Sequence, residues 1–397
     1  MPEAVIVSAV RTPIGRAGKG ALKSVRADDL AATAVRGAVE RVPNFDPALL
    51  EDVILGCAFP EGEQGMNLAR LVTALAGLPV DAGGTTVNRF CASSLQAFNM
   101  ATQGLMLGQG DAYIAGGVES MSRVPMGGFN PSFNPKLINN SEGIELCCVP
   151  GTRSTAFGQS YIPMGQTAEN LARQYGITRT EQDEFALRSH QKALAAIDSG
   201  AFAREIVAVA LPEGGEFTTD EGPRRDTSLE RLASLEPAFI AGGTVTAGNS
   251  SPLNDGASAA VLMSAEKAKQ LGIPARARVL AMAVAGVAPE VMGIGPVKAV
   301  SKALARAGLN LSDMDVIELN EAFAAQSLAV IRELGIDEAK LNPHGGAIAL
   351  GHPLGCTGTR LIATLLNDLE MSGGRLGMAT LCVGGGQGVA TIIERLS

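Results

Sequence analysis

Short apolar runs of valine, isoleucine, leucine and alanine recur along this chain, and most end near glycine or asparagine. Runs without polar alternation predict strands buried on both faces. They fall at Ala4–Val10, Asp52–Leu55, Thr85–Val87 and Ala112–Ile114, and again at Val279–Val284, Asp315–Leu319 and Gly377–Leu381. Gly116-Gly117 and Gly384-Gly385-Gly386 mark the ends of two of them. Val53 precedes Tyr113 by almost the interval at which Val316 precedes Met378, so the pattern reads as a weak internal repeat. Two copies of an alternating strand–helix unit predict an α/β fold with mixed, mainly parallel sheets.

Between the strands the spacing turns helical. Leu95, Phe98, Leu105 and Met106 share one stripe at about 100° per residue, so a helix follows Cys91. Residues 1–121 and 249–272 form one half of the repeat, and residues 273–397 form the other. Residues 122–248 differ in kind. They open with turn signals (Gly127-Gly128, Asn130-Pro131, Asn134-Pro135) and continue into a helix at about Arg179–Ile197. Thr178-x-x-Glu181 opens that helix in the form of a capping box. This stretch reads as an inserted loop domain able to reach over one face of the core.

Composition narrows the chemistry. A net charge of −8, three tyrosines and no tryptophan argue against a nucleic-acid or anionic-membrane partner. No apolar stretch reaches membrane-spanning length, and Met1–Val7 runs directly into a strand without a basic and apolar leader. Six irregularly spaced cysteines with no Cys-x-x-Cys pair fit neither a disulfide scaffold nor a metal site. A reduced, cytoplasmic setting and no bound metal are therefore expected.

Two cysteines stand apart. Cys91 lies in Asn88-Arg89-Phe90-Cys91-Ala92-Ser93-Ser94, at the predicted start of a helix, where the dipole favours a thiolate. Cys382 lies in Cys382-Val383-Gly384-Gly385-Gly386, where glycine frees backbone N–H groups to stabilise an oxyanion. His352, in Gly351-His352-Pro353, has its backbone fixed on one side and open space on the other. One thiol as nucleophile and one as acid/base, with an imidazole, suits thioester chemistry. Each residue also has a plainer reading as a packed core position. That reading is preferred for Cys57, Cys356 and the Cys147-Cys148 pair, and a solvated surface role is preferred for His190. His344 is left open, and Asn320, ending a strand, reads equally as a ligand-facing residue or a helix N-cap.

Taken together the motifs resemble the thiolase family along the whole chain. They are Val5-Ile6-Val7-Ser8-Ala9-Val10-Arg11-Thr12-Pro13, Asn88-Arg89-Phe90-Cys91, Gly117-Val118-Glu119-Ser120-Met121-Ser122, Gly248-Asn249-Ser250-Ser251-Pro252-Leu253-Asn254-Asp255-Gly256-Ala257, Asn320-Glu321-Ala322-Phe323, Gly351-His352-Pro353 and Cys382-Val383-Gly384-Gly385-Gly386. The resemblance implies a five-layered α/β/α/β/α core of two similar halves plus a loop domain. It implies that Cys91 attacks the 3-keto carbonyl of a 3-oxoacyl-CoA, that His352 activates it, and that Cys382 moves the proton at the acetyl carbon. It also implies oxyanion binding by the N–H groups of Cys91 and Gly384, and a water held by Asn320. Coenzyme A is then a co-substrate rather than a bound cofactor. Ser251, Ala322 and Phe323 match positions near its pantetheine, Met164 and Met292 positions near the acyl end, and Arg224 a phosphate or adenine contact. A homodimer is implied, with a tetramer or a multienzyme complex as further possibilities.

One departure bears on substrate. Biosynthetic members usually carry His-Met-Gly where this chain has Pro163-Met164-Gly165, so the resemblance favours the degradative, β-oxidation type. The alternatives are a biosynthetic acetyltransferase, a condensing ketoacyl synthase and a non-catalytic lipid-binding relative. The second thiol, Cys382, speaks against the condensing enzyme, and the intact residue set against the non-catalytic one.

Overall fold

The apolar runs assemble into a ten-stranded sheet. The structure is a computed structural model that describes residues 2–138, 141, 142, 144, 145 and 153–396. Cys147 and Cys148 lie outside the described residues. In chain order the main strands are β1 (Ala4–Arg11), β2 (Leu50–Gly56), β3 (Thr85–Val87), β4 (Ala112–Ser120), β5 (Asn254–Ser264), β6 (Ala277–Gly286), β7 (Val316–Leu319), β8 (Leu376–Val383) and β9 (Gln387–Arg395). Across the sheet they run β7-β8-β9-β6-β1-β5-β4-β2-β3, and Gly15–Arg16 pairs with β5 at the side.

The internal repeat is visible in strand direction. In the first half β1, β4, β2 and β3 point one way and β5 is inserted in reverse between β1 and β4. In the second half β6, β8 and β7 share a direction and β9 is inserted in reverse between β6 and β8. Each half is therefore mainly parallel in direction, although the single reversed strand makes its two flanking ladders antiparallel. The halves join through a short antiparallel contact of Val5 and Ile6 with Arg278 and Ala277.

The principal helices are α1 (Ala27–Glu40), α2 (Leu68–Leu75), α3 (Ser93–Met106), α4 (Met164–Tyr175), α5 (Arg179–Ser199), α6 (Gly295–Ala307), α7 (Ala324–Leu334) and α8 (Leu354–Ser372). Three cores show how they layer. Val5, Val7 and Val10 of β1 face α1 and α2, while Ile6 and Ala9 of the same strand face α3 and α8. The outer face of the second half packs on α4, α6 and α7. The result is the expected α/β/α/β/α stack; β1, β4 and β7 are buried throughout, whereas β3 is half-buried and β6, contrary to its apolar run, alternates buried with partly exposed positions.

The central layer brings two distant segments together. A Cβ on Gly358 of α8 would lie 2.2 Å from the Leu95 amide nitrogen of α3, so only glycine permits this crossing. Ser94 Oγ accepts from the Thr359 amide at 3.0 Å, and Thr359 Oγ1 donates to the Ser94 carbonyl at 3.1 Å. The first turns of α3 and α8 are thereby clamped side by side. Gly116-Gly117 proves not to end a strand, because β4 continues through it to Ser120. A Cβ on Gly117 would lie 2.1 Å from the Gly355 carbonyl oxygen. The pair serves close packing rather than a turn.

Candidate active site

Cys91 sits in a one-turn 3-10 helix, Phe90–Ala92, between β3 and α3. Phe90 is held at φ +43°, a left-handed conformation that a bulky residue adopts only when its surroundings fix it. Its N–H donates to Asn88 Oδ1 at 2.8 Å, and its carbonyl accepts from Ser93 Oγ at 2.7 Å. This bend presents the Cys91 thiol at the mouth of α3. The N–H groups of Gly384 and of Cys91 itself are directed at the sulfur.

The expected helix-start thiolate does not appear. Burial pushes the Cys91 thiol up to about 11, and the two N–H groups only partly offset it. Desolvation outweighs the dipole because the sulfur is enclosed, a property that linear sequence does not display. Alkylation of Cys91 by iodoacetamide is therefore expected to accelerate roughly tenfold per pH unit between about pH 6 and pH 9. Peptide-resolved rates check this, and a plateau below about pH 8 would show a stabilised resting thiolate.

Cys382 is the penultimate residue of β8 and is fully buried. Burial raises its thiol strongly, and the next cause is the charge of Cys91, so the two sulfurs lie within electrostatic reach. The hairpin to β9 turns through Gly385 and Gly386, at φ +76° and +85°. A Cβ on Gly386 would meet the Val287 carbonyl oxygen at 2.2 Å.

His352 immediately precedes Pro353, the N-cap of α8. Gly351, at φ +114°, lets the chain turn tightly against Asn254, whose Oδ1 accepts the His352 N–H at 3.0 Å. The imidazole is buried, with Nδ1 2.7 Å from Thr357 Oγ1 and Nε2 3.3 Å from Asn320 Nδ2. Burial, then the positive charge of Arg360, lowers its pKa to about 3, so the ring is neutral at rest. Asn320 follows β7 and is fully buried, and its Oδ1 has no hydrogen-bond partner among the described protein groups. The N-cap of α7 is Phe323, so the alternative reading of Asn320 as a cap is excluded.

Of the residues matched to coenzyme A, Ser251, Ala322, Phe323, Met164 and Met292 pack in one neighbourhood, and Arg224 lies apart beside His190. The Ser251 N–H donates to the Ala322 carbonyl at 3.0 Å, and Ser250 pairs with Phe323 in an isolated bridge. Phe323 meets the Phe239 ring edge-on at 5.9 Å, and Phe239 packs where a Cβ on Gly165 would stand. Met164 Sδ lies 3.7 Å from the Cβ position of Gly384, and Met164 and Met292 border the same core as Cys382. Arg225 is held by Asp198, whereas the Arg224 guanidinium is exposed and enters no ion pair among the described residues.

Two histidines lie outside this cluster. His190 is buried, not solvated as expected: α5 turns it inward, and its Nδ1 accepts the Arg224 N–H at 3.2 Å. Burial, then Arg224, lowers its pKa to about 4. His344 hydrogen-bonds Asp368 and meets Phe202 edge-on at 6.0 Å. Burial opposes its protonation, but the bond and charge of Asp368 prevail and raise its pKa. Cys57 and Cys356 are buried packing residues, as expected.

Several site residues carried no role in the sequence reading. Glu119, fully buried, accepts the N–H groups of Ala58, Phe59 and Gly355 at 2.8, 3.2 and 2.8 Å, tying the end of β2 to the start of α8. A carboxylate inside the apolar run of β4 was its signal, since a buried charge demands partners. Asn254, Thr357 and Arg360 gave none. Among the described residues no group of three or more His, Cys, Asp or Glu is placed to hold a metal, and no helix is long and apolar enough to cross a membrane.

Comparison with known proteins matches residues 4–266 to the thiolase N-terminal domain and residues 273–395 to the thiolase C-terminal domain. A 3-ketoacyl-CoA thiolase of Bacillus subtilis (strain 168) is 48% identical over 406 residues, covering 99% of this chain and 100% of the relative. One of Shewanella loihica is 50% identical over 404 residues, covering all of both. Among solved structures, the Bacillus anthracis acetyl-CoA acetyltransferase superposes with TM-score 0.89 at 44% identity, covering 100% of this chain and 99% of that one. Human mitochondrial 3-ketoacyl-CoA thiolase in complex with CoA gives 0.88 at 38% identity, covering 100% and 98%.

Proposed function

The chain belongs to the thiolase family, and from that premise we propose how its residues divide the work of a 3-ketoacyl-CoA thiolase. It is an acyltransferase that uses CoA to cleave 3-oxoacyl-CoA into acetyl-CoA and a shortened acyl-CoA. The reading is supported by two sulfurs within electrostatic reach of one another and by a neutral imidazole beside an amide whose oxygen is unpaired.

In this reading the Cys91 thiol proton passes to His352 Nε2 and the thiolate attacks the 3-keto carbon. The C2–C3 bond then breaks, its electron pair going to the acetyl-CoA enolate, while Cys91 keeps the acyl group. The enolate oxygen receives hydrogen bonds from the protonated His352 and from a water on Asn320, whose free Oδ1 suits it as acceptor. Cys382 gives its proton to C2 and releases acetyl-CoA. The Cys382 thiolate next takes the proton of incoming CoA, whose sulfur attacks the acyl-cysteine. The acyl oxyanion lies against the N–H groups of Cys91 and Gly384. Cys91 leaves and recovers its proton from His352, so every proton is returned. The covalent intermediate gives ping-pong kinetics.

Ser251, Ala322 and Phe323 would hold the pantetheine, Met164 and Met292 the acyl end, and Arg224 a phosphate of CoA. Pro163 in place of the biosynthetic histidine supports the degradative type. Substrates longer than four carbons are expected to be cleaved at least as efficiently as acetoacetyl-CoA. Thiolysis rates across a chain-length series test this. A tenfold preference for acetoacetyl-CoA in kcat/KM, about 1.4 kcal/mol, would shift the assignment to the biosynthetic type.

A cytoplasmic homodimer completes the reading. The edge strand β3 leaves backbone groups unpaired, and Met66 and Val80 near it are 89% and 79% exposed, an arrangement suited to a second copy.

A further inference from the structure

The geometry points to Thr357 as the positioning residue that decides which nitrogen of His352 carries the proton. Thr357 stands in the first turn of α8, fully buried, with Oγ1 2.7 Å from His352 Nδ1 and 2.8 Å from the Pro353 carbonyl oxygen. A hydroxyl has one proton to give and lone pairs to receive. The carbonyl can only accept, so the hydroxyl proton goes to Pro353 and the remaining contact requires Nδ1–H as donor. On the other side of the ring Asn320 Nδ2 donates toward Nε2 at 3.3 Å, which requires Nε2 to be bare. The two contacts agree on one tautomer. Bare Nε2 is the form able to take a proton from Cys91.

The opposite tautomer has a ready partner. Rotating the Asn320 amide would bring its Oδ1, now unpaired and buried, to accept an Nε2–H. Asn320 alone thus permits either state of the ring, and Thr357 settles the choice. A ring nitrogen's proton follows the hydrogen bond of the other nitrogen. Thr357→Val keeps the shape of threonine but removes the acceptor, leaving a buried Nδ1–H without a partner. The proton then moves to Nε2, and His352 is lost as a base until the tautomer reverses. The catalytic consequence rests on His352 acting as the base for Cys91, whereas the tautomer assignment does not.

The test is long-range proton–nitrogen NMR of full-length enzyme labelled with nitrogen-15 histidine. With three histidines in the chain, His352 is assigned by its loss in His352→Gln. Wild type and Thr357→Ser are expected to show a protonated Nδ1 and a bare Nε2 at neutral pH. Thr357→Val is expected to shift toward Nε2–H and to lose on the order of tenfold or more in kcat, with KM for CoA unchanged. Serine is expected to restore both signals. An Nε2–H tautomer in wild type would overturn the assignment, as would an unchanged tautomer in Thr357→Val whatever its activity. Should Thr357→Val fail to fold, the wild-type and Thr357→Ser spectra still decide. A wild type with the stated tautomer but no thiolysis would sink the proposed function and leave this assignment standing.

Discussion

Replacing His352 by alanine is expected to lower kcat by on the order of 10²-fold or more, while His344→Ala stays within a few fold of wild type. The two histidines share a glycine-rich segment, yet α8 separates their surroundings. His352 lies just before that helix, with Asn320 at one nitrogen and Thr357 at the other. His344 instead bonds Asp368, eleven positions beyond Thr357 on α8, about 16 Å along a helix rising 1.5 Å per residue. In the proposed mechanism, removing His352 deletes the proton acceptor for a thiol that burial pushes up to about 11, and with it a donor to the enolate oxygen. Removing His344 leaves Asp368 without that partner, a defect read as reduced thermal stability rather than reduced kcat. Steady-state thiolysis and thermal unfolding of both variants check the contrast. Comparable losses of kcat would show that the role of His352 has been misplaced.

Most of the strands were legible because they are buried on both faces, which leaves apolar runs such as Val53–Leu55. The two reversed strands escaped notice. β5 opens with Asn254-Asp255-Gly256 and β9 follows three glycines, so each begins with turn-forming residues. What makes them strands is a partner far away in sequence, β1 and β4 for one and β6 and β8 for the other. The capping box Thr178–Glu181 was legible because it is local. His190 was misread for the opposite reason: its helix is mainly polar, and the segment that covers it arrives from residue 224.

The site divided along the same line. Cys91, His352 and Cys382 stood out as candidates through the glycine and small residues that flank them in the sequence. Their protonation states did not, because burial belongs to the fold. Nor did Thr357, one of several threonines in a helix, whose significance appears only when its hydroxyl is seen between Pro353 and the imidazole. Asn320 was ambiguous until Phe323 proved to be the cap.

The second large effect concerns the two thiols. Cys382→Ser is expected to slow turnover by on the order of 10²-fold or more, since a hydroxyl exchanges protons poorly at neutral pH. It should nevertheless still accept an acyl group, because attack is assigned to Cys91. That assignment follows from position. Cys91 lies in the bend before α3, with two N–H groups at its sulfur, so an acyl group there has its oxyanion site already formed. Cys382 is fully enclosed near the end of β8, within electrostatic reach of Cys91, a place suited to passing a proton. Cys91→Ser should lose turnover more severely still, because it removes the covalent intermediate itself.

Mapping the acyl group to a peptide distinguishes the two thiols. Wild type, Cys382→Ser and Cys91→Ser are incubated with acetyl-CoA, quenched in acid, digested and analysed by mass spectrometry. Acetyl is expected on the Cys91 peptide in wild type and Cys382→Ser, and no stable adduct in Cys91→Ser. Acetyl on Cys382 with Cys91 unmodified would contradict it and reverse the roles of the two thiols.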